Sequence, residues 1–387
     1  MLKKIISNPF IYVYVLIGAE FMFMISPFVL YYYAIYGLVL KNLFISPLTC
    51  WLTGFFLPHI VLINNPFFVI LSFAGPVLIV MGLLIFLVCA VEVYFVKFKG
   101  GNKIITKGAY SFFPHPQYLG LAISGLGFLL IWPRFLILIA YITMLFMYYL
   151  LAKDEEKKME EEFGDAYKNY KLRVPNLLPS LKLPIFFAYI MVLIVSVGIG
   201  FVLREYTKSQ LPVAYFKNIV IVPLFPEDKN IAREAIEKIL ADEKLVPYVS
   251  GDNLKEQPTF IAYIMPVYAA GSGEKYIGDN YSDKPDGADK KSDLKSNFIF
   301  RIRNLHDMFI LGPLSRLNTH KIPAMRRIVF YRVVDRKHKY VSPRDVFKIT
   351  AERIPSAFIE IDIKEWKVFP LPEIPAWRKF ILPMPSF

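Results

Sequence analysis

Long apolar runs recur through the first half of the 387-residue chain and end near residue 204. A helix needs about 20 apolar residues to cross a hydrocarbon core about 30 Å thick. By this measure the sequence predicts membrane-spanning helices at 9–39, 43–63, 67–96, 117–132, 134–152 and 184–204. Because only Trp132 and Pro133 separate the fourth and fifth runs, these two are predicted to form a tight helical hairpin.

The pattern changes after residue 204 to short apolar stretches separated by polar segments. It predicts one helix over 228–243, with Asp228 as its N-cap. Strands are predicted at 218–225, 260–270, 297–305, 327–335 and 356–363, and the polar, glycine-containing segment 271–293 is predicted to be a loop. We therefore expect a multi-span α-helical membrane domain of five or six transmembrane helices at 1–204. A soluble α+β domain of unknown function should follow at 205–387.

Composition agrees with this division. The chain is 55% hydrophobic and only 20% charged, against about 45–50% and about 25% for a typical soluble protein. Residues 1–204 contain 16 of the 45 Lys and Arg residues and 9 of the 32 Asp and Glu residues. The net charge of +13 comes with no nucleic-acid-binding motif, so no nucleic-acid partner is expected. Both cysteines, Cys50 and Cys89, lie in predicted spans, which argues against a disulfide framework or a cysteine-based metal site.

Basic residues predict the orientation of the spans. They concentrate in 97–107 and in 153–182, the two segments that flank the predicted hairpin. Short loops rich in Lys and Arg mark the cytoplasmic side. Counting six spans from there puts 205–387 outside the cytoplasm. It also puts the N-terminus outside the cytoplasm, although Lys3 and Lys4 favour the cytoplasmic side.

The fourth apolar run begins at a histidine between two prolines, Pro114-His115-Pro116. Proline disfavours helix in the residue before it and is favoured in the first helical turn. We therefore expect His115 to be the last residue before a helix, with Tyr118 and Gly120 in its first turn. Free N–H groups at such a helix start suit an anionic ligand group, and the glycine allows a ligand or another helix to come close.

A second polar cluster follows the fifth apolar run, where Glu155 and Glu156 begin an amphipathic helical segment. In an antiparallel hairpin the start of one helix lies beside the end of the other. His115, Tyr118, Glu155 and Glu156 should therefore converge at the cytoplasmic rim and form a pocket. Alternatively, the prolines only interrupt the chain at the membrane interface, and Tyr118 belongs to an interfacial belt of aromatic residues. Glu155 and Glu156 would then lie with the neighbouring lysines on a solvated helix face.

These residues belong to a longer series of motifs. The series comprises Gly108 and Tyr110, the stretch from His115 to Gly120, Glu155 and Glu156, Phe163 and Gly164, Tyr167 and Tyr170, and Val174, Pro175 and Pro179. It resembles the isoprenylcysteine carboxyl methyltransferase and phospholipid methyltransferase superfamily, over about residues 67–180. Many members of that superfamily have arginine before the histidine, where this chain has Pro114.

The resemblance implies a membrane-embedded methyltransferase that uses S-adenosylmethionine and acts on a lipophilic or membrane-borne acceptor. By the same resemblance, the cofactor pocket is lined by His115, Pro116, Tyr118, Leu119 and Gly120, while Glu155 and Glu156 hold the polar end of the cofactor. No residue is singled out as catalytic, and no metal is implied.

Two other interpretations stay open. Sterol and steroid reductases, which use NADPH, have a similar histidine-proline turn, but they usually carry asparagine where this chain has Gln117. The membrane half could instead be a non-catalytic anchor that presents residues 205–387. The pair Glu155 and Glu156 favours the methyltransferase.

Overall fold

A computed structural model of the chain describes residues 40, 42–59, 61–98, 104–174, 184–242, 258–266 and 325–370. It divides into two compact units. One includes residues 55–57 and 70–205, and the other includes residues 58–69 and 206–387. The domain limits predicted from the sequence, 1–204 and 205–387, stay a prediction.

Five helices account for most of the described residues before 211. They are α1 (Pro66–Phe98), α2 (Pro116–Ile131), α3 (Phe135–Phe163), α4 (Asp165–Arg173) and α5 (Ile185–Gln210). Within the described part of the chain, α1, α3 and α5 are long and apolar enough to cross a membrane. They confirm apolar helices at three of the predicted spans. Helix α2 covers the run at 117–132 but has only 16 residues, and the predicted span at 9–39 lies outside the described residues.

The predicted span at 43–63 is wrong. A helical stretch ends at residue 45, and turns and a short 3-10 helix, Cys50–Thr53, follow instead of a continuous helix. Pro47 and Pro58 disfavour helical backbone in the residues before them. Phe55 forms an isolated β-bridge with Arg134. An apolar run of sufficient length is therefore not enough to predict a span when prolines divide it.

Helices α1 and α2 pack with their backbones in contact. A Cβ atom added to Gly82 would collide with the carbonyl oxygen of Gly120 and the backbone nitrogen of Ser124. A Cβ added to Gly127 would lie 2.6 Å from the carbonyl oxygen of Gly75. Small residues allow this kind of close helix packing in membranes. The contact fixes the helix that begins next to His115 against α1.

Replacing Gly82 with alanine is expected to destabilise the protein, because the new methyl group must push apart two helix backbones that are in contact. Overpacking of this kind typically costs about 1–3 kcal/mol. Gly198→Ala is the matched control, since a Cβ at Gly198 meets nothing within 4 Å and alanine favours helix. Thermal unfolding in detergent should show a lower melting temperature for Gly82→Ala only. Equal melting temperatures for the two variants would contradict the packing.

Helix α3 continues past its apolar part and ends at Gly164, where the chain reverses. Gly164 has φ +53° and ψ −124°, a conformation that favours glycine. Helix α4 then packs back on the end of α3. Tyr167, Tyr170 and Val174 are buried together there, against Met159 and Phe163 among others. Gly164, one of the motif residues, therefore ends α3.

In the second unit the described residues form a six-stranded sheet in the order β1-β2-β3-β4-β5-β6. The strands are β1 (Ala214–Phe216), β2 (Ile219–Pro223), β3 (Thr259–Pro266), β4 (Met325–Val334), β5 (Glu352–Asp362) and β6 (Lys367–Pro370). Only β2 and β3 pair in parallel, and α6 (Lys229–Leu240) lies between them in sequence. The apolar face of α6 packs on one face of the sheet, in a core that includes Ile236, Ala262 and Phe330.

This architecture confirms a separate sheet-containing region with an amphipathic helix. Four of the five predicted strands are present, while the segments 271–293 and 297–305 lie outside the described residues. Asp228 occupies the N-cap position of α6 but makes no side-chain capping hydrogen bond. Its carboxylate accepts from Nε and Nη2 of Arg326 at 2.8 and 3.0 Å, and both side chains are buried. The carboxylate is therefore used to pair a buried arginine.

Candidate functional site

His115 is the N-cap residue of α2, with φ −132° and ψ 62°. Its carbonyl oxygen accepts hydrogen bonds from the backbone N–H groups of Tyr118 and Leu119 at 3.2 and 3.3 Å. Pro116 is the first helical residue and is buried. The imidazole is only 11% exposed. The prolines thus hold a buried titratable ring at the start of an apolar helix, where the sequence predicts it.

Both glutamates at the end of the apolar part of α3 reach this ring. Nδ1 of His115 lies 3.4 Å from Oε2 of Glu155, and Nε2 lies 3.6 Å from Oε1 of Glu156. The antiparallel hairpin of α2 and α3 places the three side chains together, although they are 40 residues apart in sequence. The predicted convergence of His115, Glu155 and Glu156 is present in the structure.

Tyr118 completes the cluster on the side of Glu155. Its hydroxyl donates to Oε1 of Glu155 at 2.6 Å. The ring stacks on His115 with centroids 5.7 Å apart and on Tyr148 of α3 with centroids 5.4 Å apart. Three rings therefore form a continuous stack, and this stack fixes the orientation of both the imidazole and the Glu155 carboxylate.

The two glutamates have different environments. The Glu155 side chain is 33% exposed, whereas that of Glu156 is 6% exposed. Glu156 Oε2 accepts hydrogen bonds from Lys153 at 3.2 Å and from Lys171 of α4 at 3.0 Å. Glu156 is thus enclosed by positive charge, while Glu155 faces the open part of the rim.

Neither lysine of this site is predicted from the sequence. Lys171 comes 15 residues after Glu156 and returns to it only because the chain reverses at Gly164. It also donates to Glu160 at 3.1 Å. The sequence signal was available: a glycine that ends α3, followed by a short helix with lysine in its last turn, predicts a reversal that brings a cation back to the carboxylates.

Leu119 and Gly120 take no part in the contacts among His115, Tyr118, Glu155 and Glu156. Leu119 is partly buried. Gly120 is buried against α1, where an added Cβ would lie 2.8 Å from the carbonyl oxygen of Gly82 and 2.8 Å from the backbone nitrogen of Phe86. The glycine serves helix packing in this structure. The lining of a cofactor pocket by Leu119 and Gly120 stays a prediction.

A second layer of hydrogen bonds supports the site from the turn before it. Tyr110 lies in the 3-10 turn Gly108–Ser111 and is buried. Its hydroxyl donates to Oε1 of Gln117 at 3.1 Å, and its carbonyl oxygen accepts from the hydroxyl of Tyr170 at 2.6 Å. The tyrosines of the motif series therefore join the turn, α2 and α4 into one framework around His115.

Burial of the His115 ring lowers its pKa, because charging a ring removed from water is unfavourable. The hydrogen bonds and negative charges of Glu155 and Glu156 act in the opposite direction and prevail, so the pKa of His115 lies above its ordinary value of 6.5. The protonated ring is therefore favoured between the two carboxylates.

We expect the Glu155→Gln variant to lower the pKa of His115, because glutamine keeps the shape of the side chain and removes its charge. The stabilisation from this pairing is fully present below pH 6.5, the ordinary pKa of the ring, and is lost as the pH rises through the raised pKa. NMR titration of the labelled histidines measures the pKa. Glu161→Gln is the control, since Glu161 is exposed and pairs with Lys157. A pKa of His115 that is the same in both variants would contradict the assignment.

Residues 70–166 match the family model of phospholipid methyltransferases. No curated protein and no solved structure matches the chain. The matched segment contains α2, α3, nearly all of α1, and the whole cluster of His115, Tyr118, Glu155 and Glu156. Residues 70–166 are therefore similar to phospholipid methyltransferases, in agreement with the resemblance that the motifs indicated over about residues 67–180.

Proposed function

We propose that the chain is an integral membrane methyltransferase that transfers a methyl group from S-adenosylmethionine to a lipophilic acceptor. The observation that carries this proposal is the cluster of an imidazole, a phenol and two carboxylates where α2 begins beside the polar end of α3. Clustered ionisable groups at the edge of a membrane domain are more often functional than structural. The family match to residues 70–166 supports the same chemistry.

The residues present fit such a cofactor. S-adenosylmethionine carries an ammonium, a carboxylate and ribose hydroxyls. A carboxylate such as that of Glu155 accepts charge-assisted hydrogen bonds from an ammonium or from hydroxyls. Nε2 of His115 and Oε1 of Glu156 are buried and lie 3.6 Å from each other. Glu156 is therefore the partner of the imidazole, and the more exposed Glu155 is the carboxylate that a polar ligand can reach.

The two glutamates take different roles in this proposal. Glu155, which is the more exposed, binds the cofactor directly together with His115 and Tyr118. Glu156 orients the imidazole and is itself held by Lys153 and Lys171. Pro116 fixes the start of α2. Since the lysines neutralise Glu156, the site does not carry the full repulsion of two adjacent carboxylates.

Methyl transfer from this cofactor requires little covalent chemistry from the protein. The cofactor, when bound, supplies a methyl group that is already activated by its sulfonium. The residues of the rim hold the two reactants in line and exclude water, which is the usual source of rate enhancement when no group of the protein reacts. The rigid stack of His115, Tyr118 and Tyr148 is suited to this positioning.

The acceptor is proposed to enter from the lipid. Helices α1 and α5 expose many large apolar side chains, among them Leu84, Val88, Ile194 and Val202, and such surfaces are stable only against hydrocarbon. A lipophilic molecule that diffuses in the bilayer therefore reaches the rim without leaving lipid.

Calorimetric titration of the full-length protein in detergent tests the proposal. We expect S-adenosylmethionine to bind and NADPH to give no heat of binding. Binding of NADPH alone would favour a reductase similar to the sterol reductases. No binding of either ligand would favour a membrane anchor without catalytic function. Transfer of a labelled methyl group to a membrane lipid extract then tests the reaction itself.

A further inference from the structure

Two exposed apolar side chains lie on the polar elements around His115. Phe112 directly follows the turn Gly108–Ser111 and is 67% exposed, and Leu172 lies in the last turn of α4 and is 85% exposed. The hydrogen bond from Tyr170 to the carbonyl of Tyr110 joins the two elements that carry them. Exposed single apolar residues are common on proteins, so their position decides whether they have a role.

Helix α4 brings Leu172 back to the end of the hairpin at which α2 begins and the apolar part of α3 ends. The chain reverses at Gly164, and a helix that rises 1.5 Å per residue returns about 12 Å between Gly164 and Leu172. Lys171 confirms the return, because it contacts Glu156 at 3.0 Å. Glu156 in turn contacts His115, the residue that precedes apolar α2. Leu172 therefore lies at the height of the boundary between hydrocarbon and headgroups.

Exposed positive charge accompanies these apolar side chains. Lys168 and Arg173 of α4 are exposed, and so is Lys107 before the turn. Lys168 lies 3.6 Å from Asp165, the acidic residue of α4, but the two side chains are 64% and 93% exposed, and such an exposed ion pair is weak. Apolar side chains flanked by lysine and arginine are typical of surfaces that lie in the interface of an anionic leaflet.

We propose that Phe112 and Leu172, together with Lys107, Lys168 and Arg173, form a lipid-contact surface. Phe112 and Leu172 insert at the boundary of the acyl chains, and the three basic side chains bind the headgroups of anionic phospholipids. This surface anchors α4, and with it Lys171, at a fixed depth in the leaflet. It is independent of the proposed methyl transfer, because it depends only on the positions of α4 and the turn.

Spin labelling of the full-length protein in lipid nanodiscs tests the proposal. A nitroxide is attached at Leu172→Cys and, as the control, at Glu161→Cys, which lies near the far end of α3 and is 66% exposed. The native Cys50 and Cys89 are buried; protein without an introduced cysteine measures their labelling. Collisions with oxygen and with a water-soluble nickel chelate report depth. Discs of phosphatidylcholine are compared with discs of an equal mixture of phosphatidylcholine and phosphatidylglycerol.

We expect the label at 172 to show a several-fold higher ratio of oxygen to nickel collisions than the label at 161, with a further increase in the anionic discs. The double substitution Lys168→Glu and Arg173→Glu should abolish that further increase. Equal ratios at 172 and 161 would overturn the insertion. Equal immersion of Leu172→Cys in both lipid compositions would overturn the assignment of anionic headgroups as the partner. Only variants whose melting temperature equals that of the unsubstituted protein are compared, so that all of them are folded.

Discussion

Glu156→Ala is expected to weaken S-adenosylmethionine binding by about 10- to 150-fold. The loss of one charge-assisted hydrogen bond costs about 1.5–3 kcal/mol, and each 1.4 kcal/mol corresponds to a factor of ten in affinity. Glu156 acts through His115, which it contacts at 3.6 Å: without this carboxylate the imidazole loses its orientation and with it the charge-assisted hydrogen bond to the cofactor. His115→Ala should have an effect of the same order, because the ring contacts both glutamates. Calorimetric titration measures the dissociation constants.

Glu161→Ala is the control for both substitutions, since it removes a glutamate from the same helix at an exposed position. It should leave the affinity within a factor of about two, as expected for an exposed ion pair. Glu156→Gln separates loss of charge from loss of packing, because it keeps the volume of the buried side chain. If Glu156→Gln folds normally and binds the cofactor as tightly as Glu161→Ala, the proposed pocket is wrong.

The central part of the site could be predicted from the sequence because it depends on one topological inference. Two apolar runs separated only by Trp132 and Pro133 must form an antiparallel hairpin. The start of the first helix, at His115, then lies beside the end of the second, at Glu155. The position of His115 just before the helix is predicted from the residue types, because its two neighbours are prolines.

What the sequence did not predict depends on contacts between elements that are distant along the chain. Lys171 reaches Glu156 only after the reversal at Gly164, and Gly120 turns out to face Gly82 of α1. Asp228 has the sequence position of a helix cap, but its carboxylate pairs with Arg326, which lies 98 residues further on. In each case the contact is determined by tertiary packing, which local rules of sequence do not describe.

The error at 43–63 changes the predicted topology. With that span removed, and with 9–39 kept as a crossing, the N-terminus moves to the cytoplasmic side together with 97–107 and 153–182. Lys3 and Lys4 then agree with the preference of basic residues for the cytoplasm. The side predicted for residues 205–387 is unchanged, because it depends only on the spans after residue 107.

We expect Lys337 and Glu161 to lie on opposite sides of the membrane. Glu161 belongs to the basic segment 153–182, which is predicted to be cytoplasmic. Helix α5 is expected to cross next, because it is long and apolar enough to do so and has no polar face before Arg204. Contacts within the first unit agree with a crossing, because Gly200 packs on Phe135 at the start of α3, the end far from Glu155. Lys337 is exposed in the second unit and follows this crossing in sequence.

Labelling of introduced cysteines with a membrane-impermeant maleimide measures the sidedness. In intact cells Lys337→Cys should react fully and Glu161→Cys should not react until the cells are lysed. The native cysteines are buried, and the protein without an introduced cysteine gives the background. The difference should be all-or-none, because a domain cannot occupy both sides of one bilayer. If both positions react only after lysis, α5 does not cross, and residues 205–387 share the compartment of the proposed cofactor site. The second unit could then take part in binding the cofactor or the acceptor, whereas labelling from outside would limit it to recognition or assembly on the outer face.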